Sequence, residues 1–176
     1  MAAAKLELDR IVDEAIALME EAGLEAVSLR RVAARLDAKA PSLYRHFRDK
    51  DELHALMSYK IFQRCLERIP VCTSWPEWLE QFGRVLLEEQ QRTPGALQLI
   101  SANRWGRKIV PSPPAQVIDT IAGFGLDRET AILAQESVQA LVTGWTMMHP
   151  QPAAEGFHVG LRVMIEGWRR QAPRGS

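Results

Sequence analysis

Between Ser28 and Leu53 the chain reads SLRRVAARLDAKAPSLYRHFRDKDEL, which puts five arginines, two lysines, the Tyr44 phenol, the His46 imidazole and the Ser28 and Ser42 hydroxyls into a short stretch. Their common chemistry is donation to anionic oxygen. A phenol, an imidazole and an ammonium each hydrogen-bond a phosphate without reading sequence, whereas a guanidinium can also pair bidentately with the edge of guanine. The apolar residues fix which of these groups face outward. Leu29, Val32, Ala33 and Leu36 fall at i, i+3, i+4 and i+7, which predicts a helix with one buried face and leaves Arg30, Arg31 and Arg35 outside. Leu43 and Phe47 lie one turn apart and predict a second short helix that frees Ser42, Tyr44, Arg45 and His46 to face a groove and its phosphates.

The elements around this segment are predicted to hold it. Leu8, Ile11, Val12, Ala15, Ile16, Met19 and Ala22 form a stripe at helical spacing, giving a first helix from about Leu6 to Ala22 that Gly23 stops in a left-handed conformation. Ser28 is a good N-cap for the second helix. Asp49, with Glu52 three residues on, gives a capping-box-like start to a fourth, which runs on through Leu53, Leu56, Met57, Ile61 and Arg64 towards Pro70. The first three helices close a small core by Phe47. The expected division is therefore a helix-turn-helix domain over 1–53 and a second domain over 54–176.

The rest of the chain keeps the helical period. Trp75, Trp78, Leu79, Phe82, Val85 and Leu86 share a face, with Pro76 tolerated in the first turn, and Pro94 and Gly95 mark a successor. A Pro-rich break, IVPSPP, precedes Val117, Ile118, Ile121 and Phe124, and Gly125 ends that helix. Asp127 caps a helix reaching about His149, which carries Ile132, Leu133, Val138, Leu141, Val142, Trp145, Met147 and Met148 around much of its circumference. After a second Pro-rich loop, Phe157 to Arg170 repeats the pattern. No strand-period alternation competes, so the expected fold class is all-α.

Composition narrows the function classes. The chain has 176 residues, 47% of them hydrophobic, with 22 basic and 22 acidic side chains, so a protein that coats nucleic acid through net charge is disfavoured. The balance is local: residues 28–50 hold seven Lys or Arg against two acids (+5), and residues 1–27 hold two against seven (−5). That pattern suits a reader of short sites. The start MAAAKLELDR lacks the apolar core of a signal peptide and no run of about 18 apolar residues occurs, so a cytoplasmic protein outside the membrane is expected. Cys65 and Cys72 are too few for a zinc framework and are expected as ordinary reduced thiols.

The stretch ALMEEAGLEAVSLRRVAARLDAKAPSLYRHFRDKDEL resembles the helix-turn-helix region of the tetracycline-repressor (TetR) family of bacterial transcriptional regulators, over about the first third of the chain. FHVGLRVMIEGW resembles the closing helix of the family's ligand-binding half. The resemblance implies that Tyr44 and His46 contact phosphates and that Lys50 supplies the cation at the start of the fourth helix. It implies base-facing positions for Arg30, Ala40, Pro41, Ser42 and Arg45, of which Arg30 and Arg45 are the expected specificity residues. Two departures stand out. Asp37 occupies a turn position that is usually Gly, and Lys39 stands where a capping residue is common, giving up the cap and offering a cation to a phosphate.

The same resemblance implies a ligand pocket in the second half and a homodimer whose last two helices pair with a second copy. Independently, those two helices carry more apolar circumference than one domain can bury. The expected partners are thus a double-stranded DNA operator, a palindrome read by a twofold dimer, and a small, largely apolar effector. Trp78, Phe82, Trp105 and Trp145 are the expected apolar pocket residues, with Gln98 and Gln135 the polar ones and Arg104, Asn103 and Gln139 further polar candidates. The family's tetracycline-binding branch holds a magnesium chelate through histidines. The stretch that would align, GALQLISANRWG, has none, so tetracycline is not the expected inducer. His149 and His158 flank a loop without forming a metal set, and no metal or cofactor is expected.

An enzyme is not expected, because no nucleophile with a base, paired carboxylates or phosphate-cradling glycine loop appears, and Gly123 and Gly125 in AGFGLD read as a helix stop. Two regulator alternatives remain open: a redox-responsive protein using Cys65 and Cys72, and a constitutive DNA binder with no ligand.

Overall fold

In a computed structural model, the described residues are 2–102, 113–149 and 154–172. Their order is α1 (Ala2–Ala22), a 3-10 turn (Leu24–Ala26), α2 (Leu29–Arg35), α3 (Ala40–Leu43), α4 (Lys50–Glu67), α5 (Trp75–Arg92), α6 (Ala96–Ala102), α7 (Pro113–Gly123), α8 (Arg128–Met148) and α9 (Ala154–Gln171). Every regular element among them is a helix, so the fold is all-α. The first and last helices begin earlier than the apolar stripes indicate, because Ala2–Ala4 and Ala154–Glu155 add helix-forming residues without adding to a stripe. The chain forms two compact units: Met1–Ile61 with Thr93–Val110, and Phe62–Arg92 with Pro111–Ser176.

In the first unit the predicted stripe of α1 is the core. Ile11, Val12, Ala15, Ile16 and Met19 are buried with Val32 and Ala33 of α2, Leu43, Phe47 and the α4 residues Leu53, Met57 and Ile61. Each large side chain removed from water contributes about 1.5–3 kcal/mol, the main drive for closing so short a set of helices. Polar ties set the angles. Lys60 Nζ donates to Asp13 Oδ2 at 2.7 Å and to the Asp9 carbonyl at 3.2 Å, binding α4 to α1. Gly23 leaves α1 at φ 81°, with its N–H on the Met19 carbonyl at 2.7 Å. Gly95, at φ 85°, starts α6 where a Cβ would lie 3.0 Å from Met19 Cγ and 3.2 Å from Leu24 Cβ, so a side chain there meets both strain and a crowded neighbour.

In the second unit α5 packs on α7, α8 and α9. Leu79, Phe82, Leu86 and Leu87 of α5 are buried with Val117 and Ile121 of α7, Val138 and Val142 of α8, and Phe157 and Leu161 of α9. Gly83 allows the close approach: a Cβ there would lie 2.8 Å from Leu161 Cδ2 and 3.2 Å from Val138 Cγ1. Asp127 caps α8 as its sequence position predicts, accepting from Thr130 N at 2.9 Å, and hydrogen bonding from the Thr130 side chain, with its backbone N–H adding to it, holds the carboxyl below the usual carboxylate range. One carboxylate is buried among the described residues: Glu89 accepts from Arg68 at 3.2 Å and Arg92 at 2.7 Å, while Arg68 also pairs with Glu88. Ile132, Leu133, Met147, Met148, Val159 and Val163 of α8 and α9 stay exposed, so the apolar excess of these helices is not absorbed within the chain.

Candidate nucleic-acid interface

The helix-turn-helix is built from local signals. The Ser28 side chain accepts from Arg31 N at 3.3 Å and starts α2, as an N-cap should. After Leu36 the chain turns through Asp37 at φ 51°, the left-handed conformation that glycine adopts freely and that aspartate tolerates at a cost. Lys39 then takes the N-cap position of α3 with no side-chain hydrogen bond to the helix, so its ammonium remains exposed. Regular helix covers only Ala40–Leu43, and the chain continues as a turn through Tyr44 to His46. Leu43 and Phe47, both 2% exposed, anchor this short segment, and the predicted contact residues of α3 lie between and before them.

The predicted contact residues fall into distinct environments. Arg30, Lys39, Pro41, Tyr44, Arg45 and Lys50 are exposed, with Tyr44 57% accessible, while Ala40 and Ser42 are partly covered. Ser42 Oγ donates to the Lys39 carbonyl at 2.7 Å, and Arg45 Nε donates to the Ser42 carbonyl at 3.3 Å, so the Arg45 guanidinium is held over the first turn of α3. His46 is half-buried, because it immediately precedes the Phe47 anchor. Arg35, though exposed, is tied to α1: its guanidinium meets Glu21 at 2.6 and 2.9 Å and Glu14 at 3.0 Å. That pairing lowers the Glu21 carboxyl and raises the Arg35 guanidinium. Arg31 Nη1 donates to the Ala26 carbonyl at 3.2 Å, bracing the entry to α2. The acidic surplus of residues 1–27 thus fastens α2 to α1 through Arg35, information that lies in residues 14 and 21 and is invisible within the basic segment.

The start of α4 completes the face. Glu52 N donates to Asp49 Oδ1 at 2.9 Å, and Glu52 Oε2 accepts from Arg48 N at 2.7 Å, a reciprocal cap that fixes Lys50 in the first turn. His54, one turn further on, has its imidazole pushed down by burial, with the Lys50 charge adding to the effect. The exposed surface of this segment can donate to a polyanion at Lys39, Tyr44 and Lys50 and present Arg30 and Arg45 to base edges.

The expected effector residues divide between the units. Trp78, Phe82, Gln135 and Trp145 belong to the second, and exposed Gln98 belongs to the first. Trp105, Asn103 and Arg104 lie outside the described residues. Trp78 stacks on Phe82 with centroids 5.5 Å apart, and Phe62 meets Phe82 edge-on at 5.8 Å. Trp145 instead joins Phe157 and His149, at 5.9 and 4.4 Å. Gln135 Nε2 donates to Gln139 Oε1 at 2.8 Å. Phe62 has no place in the predicted stripes, although its spacing from Leu66 is helical. Both cysteines are free thiols; burial pushes Cys65 up to about 12, with Glu89 adding to the effect, and Cys72 is raised as well. No cluster of three metal-ligating side chains occurs among the described residues, and none of their helices is long and apolar enough to cross a membrane.

Comparison with known proteins places this arrangement. The family model for bacterial regulatory proteins of the tetR family matches residues 11–56, the span from the α1 core stripe to the first turns of α4. The HTH-type transcriptional repressor DrrR1 of Streptomyces coeruleorubidus is 31% identical over 170 residues, 96% of this chain and 62% of that repressor, so the chain spans under two thirds of the relative's length. The fold is similar to that of a TetR variant from Acinetobacter baumannii AYE in complex with minocycline, with a TM-score of 0.74 and 20% identity over 93% of this chain and 97% of that one. It is also similar to BioQ with its double-stranded DNA operator, with a TM-score of 0.73 and 21% identity over 93% of this chain and 98% of that one. Residues 11–56 thus belong to the tetR family of bacterial regulatory proteins, and the similarity to a repressor of this kind continues along most of the chain.

Proposed function

We propose that this chain is a transcriptional regulator that binds a palindromic DNA operator as a homodimer, and a repressor that leaves the operator when a small, largely apolar molecule binds its C-terminal helices. The observation that carries the reading is the exposed set Arg30, Lys39, Tyr44, Arg45 and Lys50 arranged around the buried Leu43–Phe47 anchor. Lys39, Tyr44, His46 and Lys50 position the segment on phosphates; Arg30 and Arg45 read bases, with Ala40, Pro41 and Ser42 completing the contact. Residues 1–53 form the DNA-binding part and 54–176 the effector-binding and dimerisation part. The exposed apolar residues of α8 and α9 support self-association, and the Trp78–Phe82–Phe62 cluster supports an apolar effector. An effector acts by favouring the form whose two reading segments no longer match the operator, with a coupling of about 1–3 kcal/mol. A redox mechanism is not favoured, since burial keeps the Cys65 thiol protonated.

Selection of bound sequences from a random duplex pool tests this reading. Enrichment of one inverted repeat, with half-sites centred about 34 Å or a multiple of it apart, is expected of a twofold dimer. A pool that stays random through repeated rounds contradicts sequence-specific binding.

A further inference from the structure

Gln90 lies in the last turn of α5, on the face formed by Leu79, Gly83 and Leu86, which recur with it at helical spacing. Gly83 sets that face tightly against Val138 and Leu161, and Leu79 and Leu86 are fully buried on it. Gln90 is itself only 5% exposed, and neither Nε2 nor Oε1 of its carboxamide has a hydrogen-bond partner. Among the described residues, the other buried glutamine of this unit differs: Gln135 Nε2 is bonded to Gln139. Gln63 and Gln116, too, bond each other, at 2.7 Å. A buried amide whose donor and acceptor both lack a partner in the protein is a costly arrangement that folded chains rarely keep without a use.

Glu88 and Glu89, which precede it in α5, face Arg68 and Arg92 in one ion-pair network, which favours a neutral guest over a charged one. We propose that Gln90 is the hydrogen-bonding contact for the effector, and that the effector is a neutral molecule carrying a donor and an acceptor side by side, as in a lactam, imide or primary amide. Such an edge satisfies both ends of the carboxamide at once, and satisfies them only in the bound form. Binding then relieves a cost that the free protein carries. This inference rests on the effector-binding reading above and adds its chemistry.

Two measurements on the full chain test it. In the first, Gln90→Met is melted without any ligand beside the control Gln135→Met. The unmet amide predicts that Gln90→Met melts about 2–4 °C above the parent, whereas Gln135→Met, which breaks a made bond, melts below it. A lower melting temperature for Gln90→Met means that the carboxamide is already bonded within the fold, and overturns the proposal. In the second, calorimetric titration compares 2-quinolinone, phthalimide and benzamide with N-methyl-2-quinolinone, N-methylphthalimide and N,N-dimethylbenzamide, which have no N–H. Binding of at least one parent compound, weakened about tenfold or more by N-methylation and by Gln90→Met alike, is expected. Equal binding to Gln90→Met overturns the Gln90 assignment and leaves the effector reading standing, while binding of none of the six counts against both.

Discussion

Asp37 holds the turn of the helix-turn-helix at φ 51°, where an L-residue is disfavoured and a β-branched one more so. Asp37→Gly is therefore expected to leave the fold unchanged and raise its stability by up to about 1 kcal/mol, and Asp37→Val to lower it by about 1–2 kcal/mol, both read from urea unfolding. Binding separates the side chains beyond the turn. In the proposed interface Lys50 holds a phosphate, so with Lys50→Ala affinity is expected to fall by a similar factor on every duplex and the salt slope to lose about one ion. Arg30→Ala and Arg45→Ala are expected to cost about 1–3 kcal/mol on the preferred site, with less loss on sites already altered at the base each reads. Much at this scale is legible in the sequence because it is local: the Ser28 cap, the Asp49–Glu52 cap, the uncapped Lys39 and the unusual Asp37 each depend on neighbours within four residues. Arg35 is not legible in that way, since its partners Glu14 and Glu21 come from another helix. Nor is the unmet amide of Gln90, which depends on how whole helices pack.

At the scale of elements, hydrophobic period predicts the helices, while tertiary packing decides where they end and which aromatic meets which. The buried stripe of α1 is visible in residues 8 to 22, yet the pairing of Phe62 with Phe82 joins helices that only the fold brings together. α3 is shorter than its apolar anchors imply, because Leu43 and Phe47 are both buried while regular helix ends at Leu43. Cys65 sits at the C-terminal end of α4, where burial and the Glu89 carboxylate raise its thiol, and Cys72 lies partly exposed beyond that helix. Iodoacetamide at about pH 8 is accordingly expected to label Cys72 in the native protein and Cys65 only after unfolding, as peptide mass mapping would show. Rapid native labelling of Cys65 would reopen the redox alternative. The sign of the pH effect follows from the same shift. A thiol raised to about 12 from an ordinary 9.0 keeps its proton in the fold after the unfolded chain has lost it, so its contribution to stability is full below pH 9 and is lost as pH climbs towards 12.

The whole molecule leaves an apolar surface uncovered. Met147 and Met148 are 69% and 77% exposed on α8, and Val159 and Val163 are 50% and 68% exposed on α9. A second copy is the expected cover, and a twofold dimer also gives the paired reading segments that a palindrome requires. Val163→Glu places a charge on this surface and is expected to give a monomer by sedimentation, with thermal stability of the monomer little changed and operator affinity reduced at least about tenfold. An unaltered dimer would place the interface elsewhere. The net charge of zero gives no hint of DNA binding; the segregation of charge along the first fifty residues does. What the sequence alone leaves open at this scale is the proposed effector, because a pocket is lined by side chains that only packing brings together. Sequence-specific DNA binding is decided by fluorescence anisotropy of the protein on the duplex immediately upstream of its own gene, against a shuffled duplex across a salt series. A sequence-specific regulator gives a dissociation constant of ~10⁻⁸ M or tighter and at least ~10³-fold preference over the shuffled duplex; equally tight, steeply salt-dependent binding to both would refute it, leaving phosphate contacts without base reading.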